Sequence, residues 1–228
     1  MNLVVLTGAG MSAESGIATF RDSNGLWEGH DVMEVASPEG WQKNQALVLD
    51  FYNQRRKNLF ESKPNQGHLI LSALEDHFNI SIITQNVDNL HERAGSSSVL
   101  HLHGKLNESR STLDPNLIYE LKDWELNSGD LCEKGSQLRP NIVWFGEEVP
   151  NIEPAIDLCQ TADILLIIGT SLMVYPAASL YNYINPGVPI YLIDPNEIET
   201  STSNPFVHIK KGGSEGLIEF CKLQKTKL

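Results

Sequence analysis

A glycine-rich segment follows the first apolar run of the chain and could bind phosphate groups. Thr7-Gly8-Ala9-Gly10-Met11-Ser12 comes directly after the β-branched run Leu3–Thr7. Small residues in this position let the backbone approach a pyrophosphate, and a following helix would offer amides and the positive end of its dipole. The third glycine of the common dinucleotide-binding fingerprint is displaced, so a tight strand-to-helix turn explains these residues equally well.

Polar residues with similar chemistry follow a second apolar run, Ile80–Thr84. Gln85, Asn86 and Asp88 offer amide and carboxylate groups that suit ribose hydroxyls and a carboxamide. A hydrogen-bonded turn between a strand and a helix is the alternative interpretation. His103 stands beside a glycine and could be a general base with room for a substrate. An isolated histidine is, however, more often structural.

The remaining pattern predicts a scaffold that brings these segments together. Apolar runs without strict alternation are typical of strands buried on both faces of a parallel sheet. They are Leu3–Thr7, Ile80–Thr84, Asn141–Phe145, Ile164–Ile168 and Pro189–Ile193. Helical patterns cover Gln66–Phe78, Pro154–Thr161 and Pro176–Tyr183. The alternation predicts an open α/β sheet with its site at the carboxyl ends of the strands.

Two stretches interrupt this rhythm and predict a second, smaller lobe. Residues 26–62 hold one long helical pattern, and residues 105–138 are polar with little periodicity. The expected large domain comprises residues 1–25, 63–104 and 139–228, and these two insertions form the small domain. A cleft between the lobes would then be the natural ligand site.

Composition and charge exclude several classes of protein. The 228 residues are 41% hydrophobic and 20% charged, which predicts one folded domain with at most a small appendage. A net charge of −12 argues against a specific nucleic-acid partner. The chain starts on a buried-strand pattern without a signal peptide, and the run Ile164–Ile168 is too short to span a membrane, so a cytoplasmic protein is expected. Cys132, Cys159 and Cys221 are too scattered for a disulfide framework.

Several long segments, taken together, resemble the sirtuin family of NAD-dependent protein lysine deacylases. The resemblance extends in order along nearly the whole chain. The segments that carry it are 8–22, 84–95, 103–104, 139–147 and 169–178. The resemblance implies a Rossmann-like parallel sheet and a small lobe formed by two insertions. It also implies NAD bound in the cleft and acylated lysine side chains of proteins or peptides as substrates.

The resemblance assigns cofactor-binding residues by matching position. They are Gly8, Ala9, Gly10, Phe20, Arg21, Gln85, Asn86, Asp88, Gly169, Thr170, Ser171, Asp194 and Ser214. Phe20 and Arg21 belong to the mobile cofactor loop of the family, and Asn86 and Asp88 to its nicotinamide pocket. Asp194 stands where the family usually has asparagine.

Catalytic and substrate-binding residues follow from the same matching. His103 is the expected catalytic base, with Asn86 as the second catalytic residue. In the family reaction the acyl oxygen attacks C1′ of the nicotinamide ribose, nicotinamide leaves, and O-acyl-ADP-ribose and free lysine result. The expected substrate-binding residues are Ala36, Tyr52, Arg55, Val143, Phe145, Gly146, Glu147, Met173 and Val174. NAD hydrolysis, ADP-ribosyl transfer and a catalytically silent NAD sensor are the alternatives.

The chain departs from most sirtuins in its zinc module. Most members hold a structural zinc ion with two cysteine pairs, whereas 110–114 here contains no cysteine and the second region keeps only Cys132. One thiol cannot form a tetrahedral site, so we expect no zinc. We expect the small lobe to be held by packing of Leu113, Leu117, Ile118, Leu121 and Trp124.

Tyr52 and Arg55 suggest the acyl group that is recognised. They lie three apart and share one face of a predicted helix. In one branch of the family, Tyr-x-x-Arg at this place binds the carboxylate of succinyl- or malonyl-lysine, and Ala36 resembles the small residue that opens the acyl pocket. Arginine suits a carboxylate because its fork can donate two parallel hydrogen bonds. We therefore expect deacetylase and desuccinylase or demalonylase activity, with a solvated helix face as the alternative.

Overall fold

A computed structural model gives the fold of residues 1–18, 26–27, 29–198 and 200–226. The strands are β1 (Asn2–Thr7), β2 (Leu26–Trp27), β3 (His30–Asp31), β4 (Asn79–Thr84), β5 (Val99–His101), β6 (Gly104–Ser111), β7 (Ile118–Glu120), β8 (Leu138–Ile142), β9 (Ile164–Ile168), β10 (Ile190–Ile193) and β11 (Phe206–Ile209). The α-helices are α1 (Val32–Val35), α2 (Pro38–Lys43), α3 (Gln45–Glu61), α4 (Gln66–Ala73), α5 (Leu90–Ala94), α6 (Ile152–Gln160) and α7 (Gly213–Leu223). Short 3₁₀ helices occupy Ala9–Met11, Ala13–Ser15, Leu74–Asp76 and Ala177–Tyr183.

Six parallel strands form the main sheet in the order β11-β10-β9-β1-β4-β5. The chain therefore proceeds outward from β1 on one side through β4 and β5, and returns to build the other side from β9. This is the strand order of a Rossmann fold, and its crevice lies where the order reverses, between β1 and β9. The predicted α/β class with a Rossmann-like parallel sheet is confirmed.

Both faces of this sheet are buried, which explains the continuous apolar runs. Along β1, Leu3 and Val5 point into one core and Val4 and Leu6 into the other. The first core lies beneath α4 and α7, and the second beneath α6 and the 3₁₀ helix Ala177–Tyr183. Every residue of β9 is buried.

The predicted strand at Asn141–Phe145 is wrong in position and in partner. β8 ends at Ile142 and pairs antiparallel with β6, in a separate sheet of order β7-β6-β8. Beyond Ile142 the chain leaves the sheet. There the amide of Trp144 donates to the carboxylate of Glu147 at 2.8 Å, and the amide of Phe145 donates to the carbonyl of Ala36 at 2.9 Å.

The helical predictions also need correction. The pattern over 26–62 is three helices rather than one, because Ser37 and Asn44 cap new helices by accepting the amides of Gly40 and Leu47 at 3.0 and 3.1 Å. The predicted helix Pro176–Tyr183 is 3₁₀, and α4 ends at Ala73. Within the described residues, no helix has the length and apolarity to cross a membrane.

A third core packs α1, α2 and α3 against the antiparallel sheet. At its centre Arg56 is fully buried, and its guanidinium donates to the carbonyls of Leu106 and Trp124 at 2.7 and 2.6 Å. It also donates to Asn53 Oδ1 at 2.8 Å. Burial lowers the pKa of Arg56 to about 10. One arginine thus ties α3 to β6 and to the loop that follows β7.

The expected packing of the polar insertion is wrong for two of its residues. Leu113 is 67% exposed and Ile118 is 49% exposed. Leu126, by contrast, is buried, and its amide donates to Asn53 Oδ1 at 2.9 Å. Packing alone therefore does not hold this segment together.

A cluster of two hydroxyls and a thiol lies in the polar insertion, at the segments in which the sequence lacks the zinc cysteines. Ser111 Oγ lies 2.8 Å from Ser136 Oγ, and Cys132 Sγ lies 3.2 Å from the same Ser136 oxygen. Ser111 Oγ also accepts the amides of Leu113 and Asp114, each at 3.1 Å, and Lys134 pairs with Asp114 at 2.7 Å.

This donor set does not fit a structural zinc ion, which needs four nitrogen, thiolate or carboxylate ligands. Among the described residues there is no group of three or more His, Cys, Asp or Glu side chains placed to hold a metal. Hydrogen bonds therefore join the turn that follows β6 to the turn at residues 132–136.

The hydroxyl cluster should be stable without metal. We expect incubation with a zinc chelator to leave the unfolding temperature unchanged, and Ser136→Ala to lower the free energy of unfolding by about 1–2 kcal/mol, because Ser111 and Cys132 lose their shared partner. Thermal unfolding measures the first quantity and urea unfolding the second, both followed by circular dichroism, with exposed Ser128→Ala as control. One bound zinc per chain in the purified protein would contradict this expectation.

Two buried histidines pack together between α4 and α5. The ring centroids of His68 and His91 lie 4.8 Å apart, and both residues are fully buried. His68 Nδ1 accepts the amide of Asn65 at 3.3 Å, and His91 Nε2 lies 3.2 Å from Thr7 Oγ1. Burial lowers the pKa of His68 to about 4 and that of His91 to about 3. Both rings are neutral in the folded protein at neutral pH.

This pair predicts loss of stability in mild acid. The unfolded chain takes up protons on both histidines near pH 6.5 while the folded chain does not, so stability is fully present above pH 6.5 and falls below it. Each histidine contributes roughly 1.4 kcal/mol per pH unit. Urea unfolding at pH 7.5, 6.0 and 5.0 measures the slope. His68→Gln should reduce the slope of the free energy of unfolding against pH by the contribution of one proton. An unchanged slope would refute this assignment.

Candidate active site

The loops after β1 and β9 touch through their backbones at the point where the strand order reverses. Gly8 and Gly10 donate their amides to the carbonyls of Ile168 and Gly169 at 3.0 and 2.9 Å. A Cβ at Gly10 would lie 2.7 Å from the Cα of Gly169, and one at Gly8 would lie 2.6 Å from the Cβ of Thr170. Gly169 has φ +61°, a conformation that favours glycine.

The glycines are therefore required by contact between two loops, not only by a tight turn after β1. The segment continues as 3₁₀ turns rather than as the expected α-helix. Ala9 lies within the first turn, between the two glycines, and Ser171 follows Thr170 on the opposite loop; both are partly exposed. The result is a cradle of small residues at the crevice, which suits a pyrophosphate.

Gln85 connects the loop after β4 to the loop after β9 across the end of β1. Its Nε2 donates to Thr170 Oγ1 at 3.1 Å, and the same oxygen accepts the amide of Leu172 at 3.2 Å. The structure thus brings together the sequence-predicted residues of three separate segments at the carboxyl ends of adjacent strands.

A buried polar cluster lies beside this cradle. Ser12 Oγ donates to Asp88 Oδ2 at 2.8 Å and accepts from Asn86 Nδ2 at 3.1 Å. The other oxygen of Asp88 accepts the amide of Leu90 at 3.1 Å. All three cluster residues are buried, and burial raises the pKa of Asp88. Carboxylate and amide oxygens grouped in this way suit the donors of a carboxamide.

Ser12 was not among the predicted site residues. It stands inside the glycine-rich motif, but the sequence gives no sign that its hydroxyl joins side chains more than 70 positions away. The only available signal was its place directly after the cradle glycines.

His103 is oriented by the same loop. Its Nδ1 lies 3.0 Å from the carbonyl oxygen of Gln85. Because a carbonyl only accepts, Nδ1 carries the hydrogen and Nε2 keeps the basic lone pair. Burial lowers the pKa of His103, so the ring is neutral at neutral pH. The arrangement is that of a general base with a fixed tautomer.

Gly104 is needed for this placement. It has φ +82°, and a Cβ there would collide with the carbonyl of Asn141 on the neighbouring strand. The histidine–glycine pair thus lies where β6 and β8 approach most closely.

The remaining expected cofactor residues are more scattered. Asp194, directly after β10, is buried and accepts the amide and the side chain of Asn196 at 2.9 and 3.1 Å. Ser214 Oγ, at the start of α7, donates to Glu14 at 2.5 Å and accepts the amide of Gly67 at 3.0 Å. Phe20 and Arg21 lie outside the described residues.

The expected peptide-binding segments flank His103. The amide of Val143 donates to the carbonyl of His103 at 3.0 Å. Gly146 has φ +90° and is exposed, as are Phe145 at 43% and Met173 at 75%. Val174 is partly buried and accepts the amide of Ala178 at 2.8 Å. Exposed apolar side chains thus lie on both segments.

Glu147 has a different environment from the one expected of a substrate ligand. Its carboxylate accepts from Arg139 at 2.6 and 3.0 Å, from Arg110 at 3.1 Å and from the amide of Trp144 at 2.8 Å. Burial opposes ionisation, but these arginines outweigh it and lower the pKa of Glu147. The side chain therefore organises the loop that follows β8.

The Tyr52–Arg55 pair lies on α3 next to this loop. Tyr52 is fully buried and its hydroxyl accepts from Trp144 Nε1 at 3.0 Å, which leaves its own hydrogen to donate. The guanidinium carbon of Arg55 lies 3.2 Å from the ring centroid of Phe51, and Nη1 donates to the carbonyl of Phe51 at 2.8 Å. Ala36 is also buried. A purely solvated helix face is therefore excluded for Tyr52.

Curated relatives of this chain are found in distant bacteria. The pattern of the Sir2 family matches residues 8–176. A Bacteroides thetaiotaomicron protein named NAD-dependent protein deacylase is 57% identical over 227 residues, which cover 97% of each chain. A Helicobacter pylori protein of the same name is 64% identical over 196 residues, 85% of this chain and 84% of its own.

Solved structures agree with the sequence relatives. A crystal structure of a Sir2 homolog–NAD complex superposes with a TM-score of 0.87 at 37% identity, covering 98% of this chain and 89% of its own. A Sir2 complex with a deacetylated p53 peptide and 3′-O-acetyl ADP-ribose has a TM-score of 0.80 at 29% identity, covering 99% and 94%. With the family pattern, these matches confirm the resemblance to sirtuins: the chain belongs to the Sir2 family.

Proposed function

We propose that this protein is an NAD-dependent protein lysine deacylase that releases nicotinamide and forms O-acyl-ADP-ribose. The observation that carries the proposal is the position of His103, a neutral base of fixed tautomer bonded to the loop that contributes Asn86 and Asp88 to the buried polar cluster with Ser12. The relatives named NAD-dependent protein deacylase and the Sir2 homolog–NAD complex support it.

Each part of the site has a role in this proposal. NAD supplies a ribose carbon that bears nicotinamide as a leaving group. The cradle of Gly8, Gly10 and Gly169 accommodates the pyrophosphate, and Asn86 and Asp88 hold the carboxamide of nicotinamide. His103 Nε2 accepts the proton of a ribose hydroxyl, a transfer that typically contributes about 10²–10⁴-fold. Thr170, Ser171, Asp194 and Ser214 serve the adenosine side.

The substrate side is proposed to take an acyl-lysine in an extended peptide. The peptide adds as a strand between segments 145–147 and 171–174, by β-augmentation. The exposed side chains of Phe145 and Met173 support this path, since they offer apolar contact on both segments. The Sir2 complex that contains a p53 peptide is consistent with a protein substrate.

We further propose that succinyl- and malonyl-lysine are substrates beside acetyl-lysine. Tyr52 keeps a donor hydrogen, and the indole of Trp144 fixes the position of its oxygen. Arg55 lies three residues away on the same helix, with its guanidinium stacked on Phe51. Together they would offer a charge-assisted site for the distal carboxylate.

The division into domains also remains a proposal. Residues 26–62 and 105–138 would form the small, zinc-free domain, and the other residues the large one. The core shared by α1–α3 and β6 supports this division. β8 lies at the boundary, because residues 138–142 pair with β6.

Replacing the base tests the reaction. We expect His103→Ala to lower deacylation of an acetyl-lysine peptide by about 10²–10⁴-fold while NAD binding remains, because only proton transfer is lost. Mass spectrometry of nicotinamide and O-acyl-ADP-ribose measures this, with exposed His77→Ala as control. Full activity in His103→Ala would refute the role of the base.

The same assay distinguishes the alternatives. A lane without peptide reports NAD hydrolysis, and equal nicotinamide release there would replace deacylation with hydrolysis or ADP-ribosyl transfer. Bound NAD with no product from any acyl-lysine peptide would indicate a silent sensor.

Replacing Arg55 tests the acyl preference. Loss of a charge-assisted hydrogen bond is worth about 1.5–3 kcal/mol. Arg55→Met should therefore lower kcat/KM for a succinyl-lysine peptide by roughly 10–100-fold relative to the matched acetyl-lysine peptide. Lys57→Met removes an exposed charge from the same helix and should change neither. An equal loss on both peptides would show that Arg55 does not bind the acyl carboxylate.

A further inference from the structure

A second histidine, two positions before the proposed base, has no role in the reaction described above. His101 ends β5 opposite Thr84 and is 4% exposed. Its Nδ1 lies 3.1 Å from the carbonyl oxygen of Asn86, and its Nε2 lies 2.8 Å from Oε1 of Glu92. Both ring nitrogens therefore face oxygen atoms.

These two partners determine the hydrogens that the ring carries. A carbonyl oxygen only accepts, and an ionised carboxylate also only accepts. Burial opposes ionisation of Glu92, but its side-chain hydrogen bond with His101 outweighs burial, and the pKa of Glu92 is lowered to about 2. Lys105 Nζ, at 3.4 Å from the same oxygen, adds a further positive charge. Both contacts of His101 are satisfied only when both ring nitrogens carry hydrogen, as in an imidazolium.

His101 and His103 hold successive carbonyls of one loop. His103 binds the carbonyl of Gln85 and His101 binds that of Asn86. The amide of Asn86 donates to Thr84 Oγ1 at 3.0 Å, so the backbone of Asn86 is fixed on both sides. Through Glu92, His101 also joins this loop to α5.

His101 is itself held in place from outside the loop. Its carbonyl accepts Nδ2 of Asn151 at 2.7 Å, next to the start of α6. The contacts expected for the adenosine and the pyrophosphate belong to other elements, namely the loops after β1, β9 and β10 and the start of α7. Loss of the His101 contacts would therefore disturb the nicotinamide end of the cleft and spare the other end.

We propose that His101, held as an imidazolium between Asn86 and Glu92, is a positioning residue that directs the Asn86 side chain to Ser12 and the nicotinamide end of the cleft. It thereby controls the cleavage of the nicotinamide bond rather than the binding of NAD. This inference rests on the proposed deacylase function, in which Asn86 serves the nicotinamide pocket.

Exchange of labelled nicotinamide into NAD, in the presence of an acetyl-lysine peptide, reports bond cleavage directly. We expect His101→Gln to lower the maximal exchange rate by about 10²-fold, as for a catalytic group displaced by about 1 Å, with an unchanged KM for NAD. Glu92→Gln keeps an acceptor for Nε2 of His101 and should lower the maximal exchange rate less than His101→Gln does. The double variant should lower the maximal exchange rate no further than His101→Gln alone, because the pair acts as a unit. Exposed His77→Gln should behave as the unsubstituted protein.

A spectroscopic measurement tests the imidazolium without relying on turnover. In protein labelled with ¹⁵N-histidine, the ring signals that disappear in His101→Gln identify His101. Both nitrogens should give the protonated signature at neutral pH. One unprotonated ring nitrogen would overturn the proposal.

The kinetic outcomes separate this inference from the proposed function. A raised KM with an unchanged maximal rate in His101→Gln would overturn the positioning role alone. So would a rate loss that only follows the folded fraction measured by circular dichroism. Absence of peptide-dependent exchange in the unsubstituted protein would overturn the proposed function and, with it, this inference.

Discussion

Gly10 donates its amide to the carbonyl of Gly169 at 2.9 Å, and no side chain fits between the two loops that meet there. This backbone contact holds the loops after β1 and β9 together beyond the paired ends of the two strands. Gln85 reaches Thr170 across the end of β1 because β4, β1 and β9 end in register, with Thr7 paired to Thr84 on one side and to Ile168 on the other. The position of Gln85 in turn fixes the carbonyl that orients His103. A steric constraint at two glycines is thus transmitted to the proposed base.

The histidines around the site differ in the groups that face them. His68 and His91 lie beneath the loops as neutral rings because they are buried without a carboxylate contact. His101 lies at similar depth but faces the carboxylate of Glu92 at 2.8 Å. His103 faces a carbonyl and is neutral, with one basic nitrogen. Four histidines of one chain thus have different hydrogen-bond partners around one site.

The sequence predicts those features that depend on neighbouring residues. The strand Ile164–Ile168 has the predicted bounds, because a strand buried on both faces is a continuous apolar run. The short edge strands β5 and β11 have no such run and were not predicted. The expectation of no zinc in the polar insertion rests on the missing cysteines, whereas nothing in the sequence indicated the hydroxyl cluster.

Long-range hydrogen bonds explain what the sequence left open at the site. Ser12 joins Asn86 and Asp88 across more than 70 positions, and His101 joins Asn86 across 15. Such contacts impose no periodicity and need no particular neighbours, so a motif indicates the residue but not its partner. The peptide-side residue Glu147 illustrates the converse, because its motif position was clear while its two arginine partners were not.

The Ser111–Ser136–Cys132 cluster consists entirely of groups that belong to the chain itself. A lobe joined by a metal is stabilised by mass action, so its stability rises and falls with the concentration of free ion. Hydrogen bonds among two hydroxyls and a thiol lie within one chain. Their contribution to the free energy of unfolding therefore does not depend on the concentration of a free ion. The stability that this cluster contributes is therefore the same in metal-poor and metal-rich surroundings, and the cluster is complete as soon as the chain folds.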